Sequence, residues 1–224
     1  MSLPETVEVE PRRGADASVV LLHGLGADGH DFESLVPELR LPASSAVRWV
    51  FPNAPVRPVT INGGARMRAW YDIAGLDRRV PQDEAGIRAS AEAVRALLAR
   101  EHDRGIASDR IVLAGFSQGG AIALFAGLRE PARLAGVLAL STYLPLADRL
   151  DAEAHPANAA VPILMAHGTH DSMVPLALAE GSRALLLERG YDLDFRTYPM
   201  PHSLCAEEVT DIREWLLRVL PPRD

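Results

Sequence analysis

Arg110-Ile111-Val112-Leu113-Ala114-Gly115-Phe116-Ser117-Gln118-Gly119-Gly120 is an apolar run that ends in a serine with glycine two positions to either side. The G-x-S-x-G spacing is that of a nucleophile elbow, a sharp strand-to-helix turn that exposes a serine hydroxyl above a sheet. Such a turn brings the flanking backbone segments together, so a Cβ at either second neighbour would collide with them. Holding a serine there costs ~1–3 kcal/mol, which points to a function. The stretch Ala121-Ile122-Ala123-Leu124-Phe125-Ala126 then predicts a helix from about Gln118. Its first N–H groups face the serine and suit a developing oxyanion.

Working outward from the elbow, short β-rich runs alternate with helical patterns. Strands are predicted at Ser18 to Leu22, Val47 to Phe51, Arg110 to Ala114, Gly136 to Leu140, Pro162 to Ala166 and Asp194 to Tyr198. Several are continuous apolar runs, as parallel strands covered on both faces require. The clearest helix runs from Asp83 to about His102, with Ile87, Ala91, Val94, Leu97 and Leu98 on one face and Gly105 as its stop. Others are expected at about Phe32 to Leu39, Gln118 to Leu128, Pro175 to Arg189 and Ala206 to Leu220. This alternation predicts an α/β fold, a mostly parallel central sheet with helices on both faces. No repeat or long linker divides the chain, so residues 1–224 read as one domain. Residues 53–82 stand apart as a long excursion rich in turn formers, expected to pack beside the active site.

Composition narrows the chemistry. All 23 basic residues are arginine, which removes the lysine that Schiff-base enzymes and P-loops need. A net charge of −7 argues against nucleic acid as a partner. The single cysteine, Cys205, forms no internal disulfide and fits a cytoplasmic location. The acidic start lacks a basic region followed by an apolar one, so no secretory signal is expected, and no stretch approaches a membrane span.

A serine nucleophile needs a base to take its proton and an acid behind that base. In chain order the elbow serine is followed by acid and then histidine. Of the seven histidines, His155, His167, His170 and His202 follow Ser117. His202 lies in the loop Pro199-Met200-Pro201-His202-Ser203, after the last strand and before the last helix. Sites in open α/β sheets lie beyond the carboxyl ends of strands, and this loop belongs there. Asp171 follows the preceding strand and can orient the imidazole; its rival role is a helix cap, which Ser172 could supply instead. Asp148 and Asp151 rank below it. The glycine-rich turn Leu22-His23-Gly24-Leu25-Gly26 after the first strand assigns the oxyanion donors to the backbone N–H groups of Leu25 and Gln118.

Competing readings are weaker. Gly24, Gly26 and Gly29 imitate a dinucleotide loop, but no helix opens there. His167, His170 and Asp171 have metal-ligating side chains but sit in a turn without a second cluster, so no metal is expected, nor any cofactor. Cys205 lacks the elbow context of a nucleophile and reads as a small, partly buried residue.

Taken together, the chain resembles the carboxylesterase and acyl-protein thioesterase family of α/β-hydrolases, specifically its bacterial carboxylesterase branch. The resemblance rests on Leu22-His23-Gly24-Leu25-Gly26-Ala27-Asp28, on Pro52-Asn53-Ala54-Pro55 with Arg57-Pro58-Val59-Thr60, and on Gly63-Gly64 leading to Trp70-Tyr71-Asp72-Ile73. It continues through Gly115-Phe116-Ser117-Gln118-Gly119-Gly120, Gly168 with Asp171 and Val174-Pro175, and Tyr198-Pro199-Met200 with His202. It implies an α/β-hydrolase without a large cap domain, with Ser117, Asp171 and His202 as the triad and Leu25 and Gln118 as oxyanion donors. It also admits a homodimer. Pro201 departs from the family pattern and restricts Met200, which bears on how the His202 loop is placed.

The expected activity is hydrolysis of short- to medium-chain acyl esters through an acyl-enzyme on Ser117. The alternatives are an acyl-protein thioesterase or lysophospholipase, or a catalytically silent hydrolase fold used for binding. The partner is then a small acyl ester or an acylated protein. Ile61, Met67, Trp70 and Met173, with Leu25, are candidates to line an apolar acyl groove, each also compatible with plain core packing. His202 must be neutral to act as a base, so activity is expected to fall on acidification.

Overall fold

The computed structural model describes residues 3–75 and 80–223. Its elements in chain order are β1 (Thr6–Val9), β2 (Ala17–Leu22), α1 (Leu35–Glu38), β3 (Val47–Pro52), β4 (Val56–Val59), β5 (Ala65–Arg68), α2 (Glu84–Asp103) and β6 (Ile111–Phe116). They continue with α3 (Gln118–Gly127), β7 (Gly136–Leu140), α4 (Leu150–Glu153), β8 (Ile163–Gly168), α5 (Leu176–Glu188), β9 (Leu193–Tyr198) and α6 (Ala206–Val219). Among the described residues, seven strands form one sheet in the order β1-β3-β2-β6-β7-β8-β9. β1 runs antiparallel to β3, and the remaining neighbours are parallel. The chain moves outward from β2 to β3, then returns past β2 to β6. This reversal opens a crevice beyond the ends of β2 and β6, where the glycine-rich turn and the elbow serine lie.

The twofold alternation of strand side chains sorts the core into two layers. Val20, Leu22, Ile111, Leu113, Val137, Ala139, Ile163 and Met165 pack on one face beneath α2, α3 and α5. Val19, Leu21, Val112, Ala114, Leu138, Leu140, Leu164 and Ala166 pack on the other, against Leu35 of α1 and Ile212, Trp215 and Leu216 of α6. Burial on both faces is why these strands read as unbroken apolar runs. α2 is delimited as its sequence dictates. The Asp83 side chain accepts from Gly86 N at 2.9 Å, and at the far end Gly105 takes φ +91° while Ile106 N–H reaches back to Glu101 O at 3.1 Å.

β1, α1 and the excursion differ from expectation. β1 reads Thr-Val-Glu-Val and is only half buried, so this edge strand shows no apolar run. The helix expected over Phe32 to Leu39 is confined to Leu35–Glu38, because Leu35 N and Val36 N bond three residues back, to Phe32 O and Glu33 O. Within the excursion at 53–82, β4 and β5 form an antiparallel hairpin. Its turn carries Gly63 and Gly64 at φ 66° and 81°. Pro58 and the arginines of this edge ribbon hide it from a reading by apolar periodicity. Residues 76–79 of the excursion lie outside the described residues.

Candidate active site

Ser117 takes φ 54°, ψ −120°, a conformation disfavoured for any side chain but glycine. The surrounding backbone enforces it. Ser117 N donates to Leu140 O at the end of β7 at 2.8 Å, and Thr142 Oγ1 donates to Ser117 O at 2.7 Å. A Cβ on Gly115 would stand 2.3 Å from the carbonyl of Gly119, and one on Gly119 would stand 2.3 Å from Leu22 O. The two glycines therefore let β2, β6 and α3 converge at the serine. Ser117 precedes α3 without capping it through its side chain, which leaves the hydroxyl available.

Asp171 and His202 meet beyond β8 and β9. His202 Nδ1 lies 2.6 Å from Asp171 Oδ2, and the carboxylate is fully buried while the imidazole keeps a solvent-facing edge. Asp171 Oδ1 accepts from Met173 N and Val174 N, each at 2.8 Å. One oxygen therefore closes the local turn and the other holds the histidine, so the capping and orienting roles coexist in a single residue. Ser172 is not needed as a cap: α5 starts after Pro175 with no side-chain cap. Gly168 permits the approach of the two loops, since a Cβ there would sit 2.3 Å from Met200 O and 2.5 Å from Pro201 O. Despite Pro201, the loop delivers His202 to Asp171. Phe116 supports the imidazole, with ring centroids 4.7 Å apart.

The glycine-rich turn is tied down by neutral groups. His23 is buried; its Nδ1 donates to Gly24 O at 2.7 Å and its Nε2 accepts from Ala54 N at 3.1 Å. Burial lowers its pKa, so it stays an uncharged strut. Gly26 N donates to Arg68 O of the hairpin at 2.9 Å. Among the described residues, no protein acceptor takes the N–H of Leu25 or of Gln118. The Gln118 side chain has a role the sequence did not reveal. Its Oε1 accepts from Trp70 N and its Nε2 donates to Tyr71 O, each at 2.8 Å.

Ser117, Gln118, Leu25 and His202 line one cavity of about 360 Å³. Ile61, Met67 and Met173 line it as well, and Ile61 and Met173 are exposed at its mouth. Trp70 does not. It is 1% exposed, and its indole N–H donates to His23 O at 2.9 Å, so it ties the excursion to the glycine-rich turn instead of lining the groove. Tyr71, Ile73, Phe116 and Tyr143 also line the cavity and were not singled out from the sequence as its wall. The Tyr71 and Tyr143 hydroxyls are 3.2 Å apart, and burial raises both pKa values, so the pair remains uncharged.

The sequence pattern of the phospholipase/carboxylesterase family matches residues 4–220. The chain belongs to this family. Acyl-protein thioesterase 1 of Neurospora crassa is 44% identical to it over 215 residues, 92% of this chain and 87% of the relative. Acyl-protein thioesterase 1 of Mycosarcoma maydis is 38% identical over 99% of both chains. Among solved structures, acyl-protein thioesterase 2 of Zea mays superposes with a TM-score of 0.86 at 32% identity, covering 97% of this chain and 99% of that one. The fold is therefore that of the α/β-hydrolases, and this member of the family is an enzyme of the carboxylic ester hydrolase (serine esterase/thioesterase) class.

Proposed function

We propose that this hydrolase removes acyl groups from protein cysteines, with Ser117 as nucleophile, His202 as base and Asp171 as its orienting acid. The single observation that carries the catalytic reading is the pairing of His202 with the buried Asp171 carboxylate at 2.6 Å, with its imidazole on the same cavity as the strained Ser117. Ser117 Oγ attacks the acyl carbonyl carbon while His202 Nε2 takes its proton, and Asp171 Oδ2 stabilises the imidazolium. The carbonyl oxygen, now negative, is held by the N–H groups of Leu25 and Gln118. The C–S bond breaks, and the proton on His202 goes to the departing thiol. Water then attacks the acyl-serine, His202 again takes a proton, and the acid leaves as Ser117 recovers its own.

The preference for a protein thioester rests on the relatives named acyl-protein thioesterase, and it favours the second of the readings drawn from the sequence over the first. Hydrolysis of short- to medium-chain oxygen esters stays as the second reading, because about 360 Å³ is near the small end of ligand cavities. A cytoplasmic site of action fits the single free cysteine. No helix among the described residues is long and apolar enough to cross a membrane. The test is a chain-length series of oxygen esters, thioesters and S-acylated peptides, with Ser117→Ala as control. The proposal expects the highest kcat/KM on the acylated peptides and none in the variant. A preference for short oxygen esters supports the second reading, and retained turnover in Ser117→Ala removes Ser117 as nucleophile.

A further inference from the structure

Asp171 has a second histidine neighbour that the mechanism above does not use. His167, the penultimate residue of β8, is 1% exposed, and its Nε2 lies 2.9 Å from Val174 O and 3.4 Å from Asp171 Oδ2. A carbonyl oxygen can only accept, so Nε2 carries the proton. Nδ1 is then a bare lone pair, buried and without a partner among the described residues. The tautomer of His167 is thereby fixed. Its N–H sits between the oxygen that faces His202 and the carbonyl of Val174, the residue whose own N–H holds Asp171 Oδ1.

We propose that His167 is a positioning residue of the hydrolytic reaction, whose Nε2–H locks the Asp171–Val174 turn and so fixes the carboxylate against His202. The inference rests on the triad reading above. Two imidazoles face one carboxylate oxygen, and only one of them can usefully take a proton during turnover. A cationic His167 would compete with the His202 imidazolium for Oδ2. Burial works against that, lowering the pKa of His167 although the hydrogen bond to the Val174 carbonyl and the nearby carboxylate both raise it, with His202 adding to the lowering. His167 therefore acts on the reaction through hydrogen-bond geometry and leaves Asp171 Oδ2 to His202.

The test compares two amides at this position. Gln can place its nitrogen where Nε2 stands, whereas the nitrogen of Asn reaches only the position of Nδ1. His167→Gln is expected to keep kcat within about threefold of the parent, and His167→Asn to lose roughly tenfold, the effect of one hydrogen bond. KM should stay within about twofold in both, since His167 touches no substrate. The low-field proton resonance of the His202 Nδ1–H···Asp171 bond should persist in the Gln variant and vanish in the Asn variant. Equal kcat and equal resonances in the two folded variants would overturn the proposal. Imidazole ¹⁵N shifts of the unmodified protein need no variant: His167 protonated at Nδ1 instead of Nε2 would overturn it equally. Ser117→Ala separates the two levels of inference. If that variant is inactive while His167→Asn turns over normally, only the role of His167 falls; if it remains active, the triad reading falls with it.

Discussion

Replacing Glu208 with Gln should stabilise the protein, and by an amount that grows with pH. Glu208 stands in the first turn of α6 with no exposed surface, and neither carboxyl oxygen makes a hydrogen bond among the described residues. Burial raises its pKa from 4.5 to about 8; the nearby Cys205 N–H offsets part of that, and the Asp211 charge adds to it. The folded protein thus holds a proton there that the unfolded chain releases above pH 4.5. Where the native state binds more protons, stability falls as pH rises. The stabilising contribution is intact below pH 4.5, declines through the neutral range and is fully lost above pH 8. At ~1.36 kcal/mol per unit, the loss is about 3 kcal/mol at pH 7 and approaches about 5 kcal/mol above the folded pKa. Glutamine has the same shape and no proton to lose. Urea unfolding of the parent and Glu208→Gln at acidic, neutral and alkaline pH should therefore give stabilities that nearly coincide near pH 4.5 and diverge as pH rises. Subtracting the two curves cancels every titration common to both proteins. A difference that stays flat with pH would refute a raised pKa, and one that shrinks would reverse the sign of the argument.

Three further outcomes follow from the site. Asp171→Asn leaves the amides of Met173 and Val174 an acceptor but removes the charge opposite His202, so kcat should fall by roughly 10³–10⁴ with thermal stability nearly kept, measurable by steady-state kinetics beside a melting curve. Gln118→Ala strands the Trp70 N–H and the Tyr71 carbonyl; it should cost about 2–5 kcal/mol in urea unfolding and lower kcat more than it raises KM. Gly119→Ala forces a methyl to within 2.3 Å of Leu22 O and 2.5 Å of His23 O. Neither backbone oxygen can give way without moving β2, so the variant should lose activity and melt several degrees lower, and an unchanged melting curve would contradict the packing described at the elbow.

How much of this was legible beforehand depended on the kind of interaction. The five inner strands, β3, β2, β6, β7 and β8, announced themselves because each is buried on nearly all of both faces and so is largely apolar, and Ser117 because backbone contact at Gly115 and Gly119 excludes every other residue. Asp171 and His202 could be placed by chain order and by their positions after β8 and β9. β1 and the β4–β5 hairpin could not, since edge strands with alternating polar residues and a proline carry no apolar run. Tyr143 lines the cavity from the loop after β7, where nothing in spacing or composition distinguishes a tyrosine that faces a site from one that does not.

Trp70 shows why the sequence of the excursion says little about its role. An aromatic residue in a long loop beside a nucleophile suggests a groove wall, yet a buried indole must also place its N–H. That N–H goes to His23 O, the Trp70 amide to Gln118 Oε1, and the Tyr71 carbonyl to Gln118 Nε2. The two proposed oxyanion donors stand on different elements, Leu25 after β2 and Gln118 at the start of α3. Both are referenced to the same strap: one through the His23 carbonyl, the other through its own side chain. The strap is in turn held to α2 by the Ser90 hydroxyl on the Trp70 carbonyl. The separation of the donors is thus set by residues 70 and 71 as well as by the sheet. A change in this strap should reach the reaction through the placement of the oxyanion, lowering kcat, even though the Trp70 side chain lines no part of the cavity.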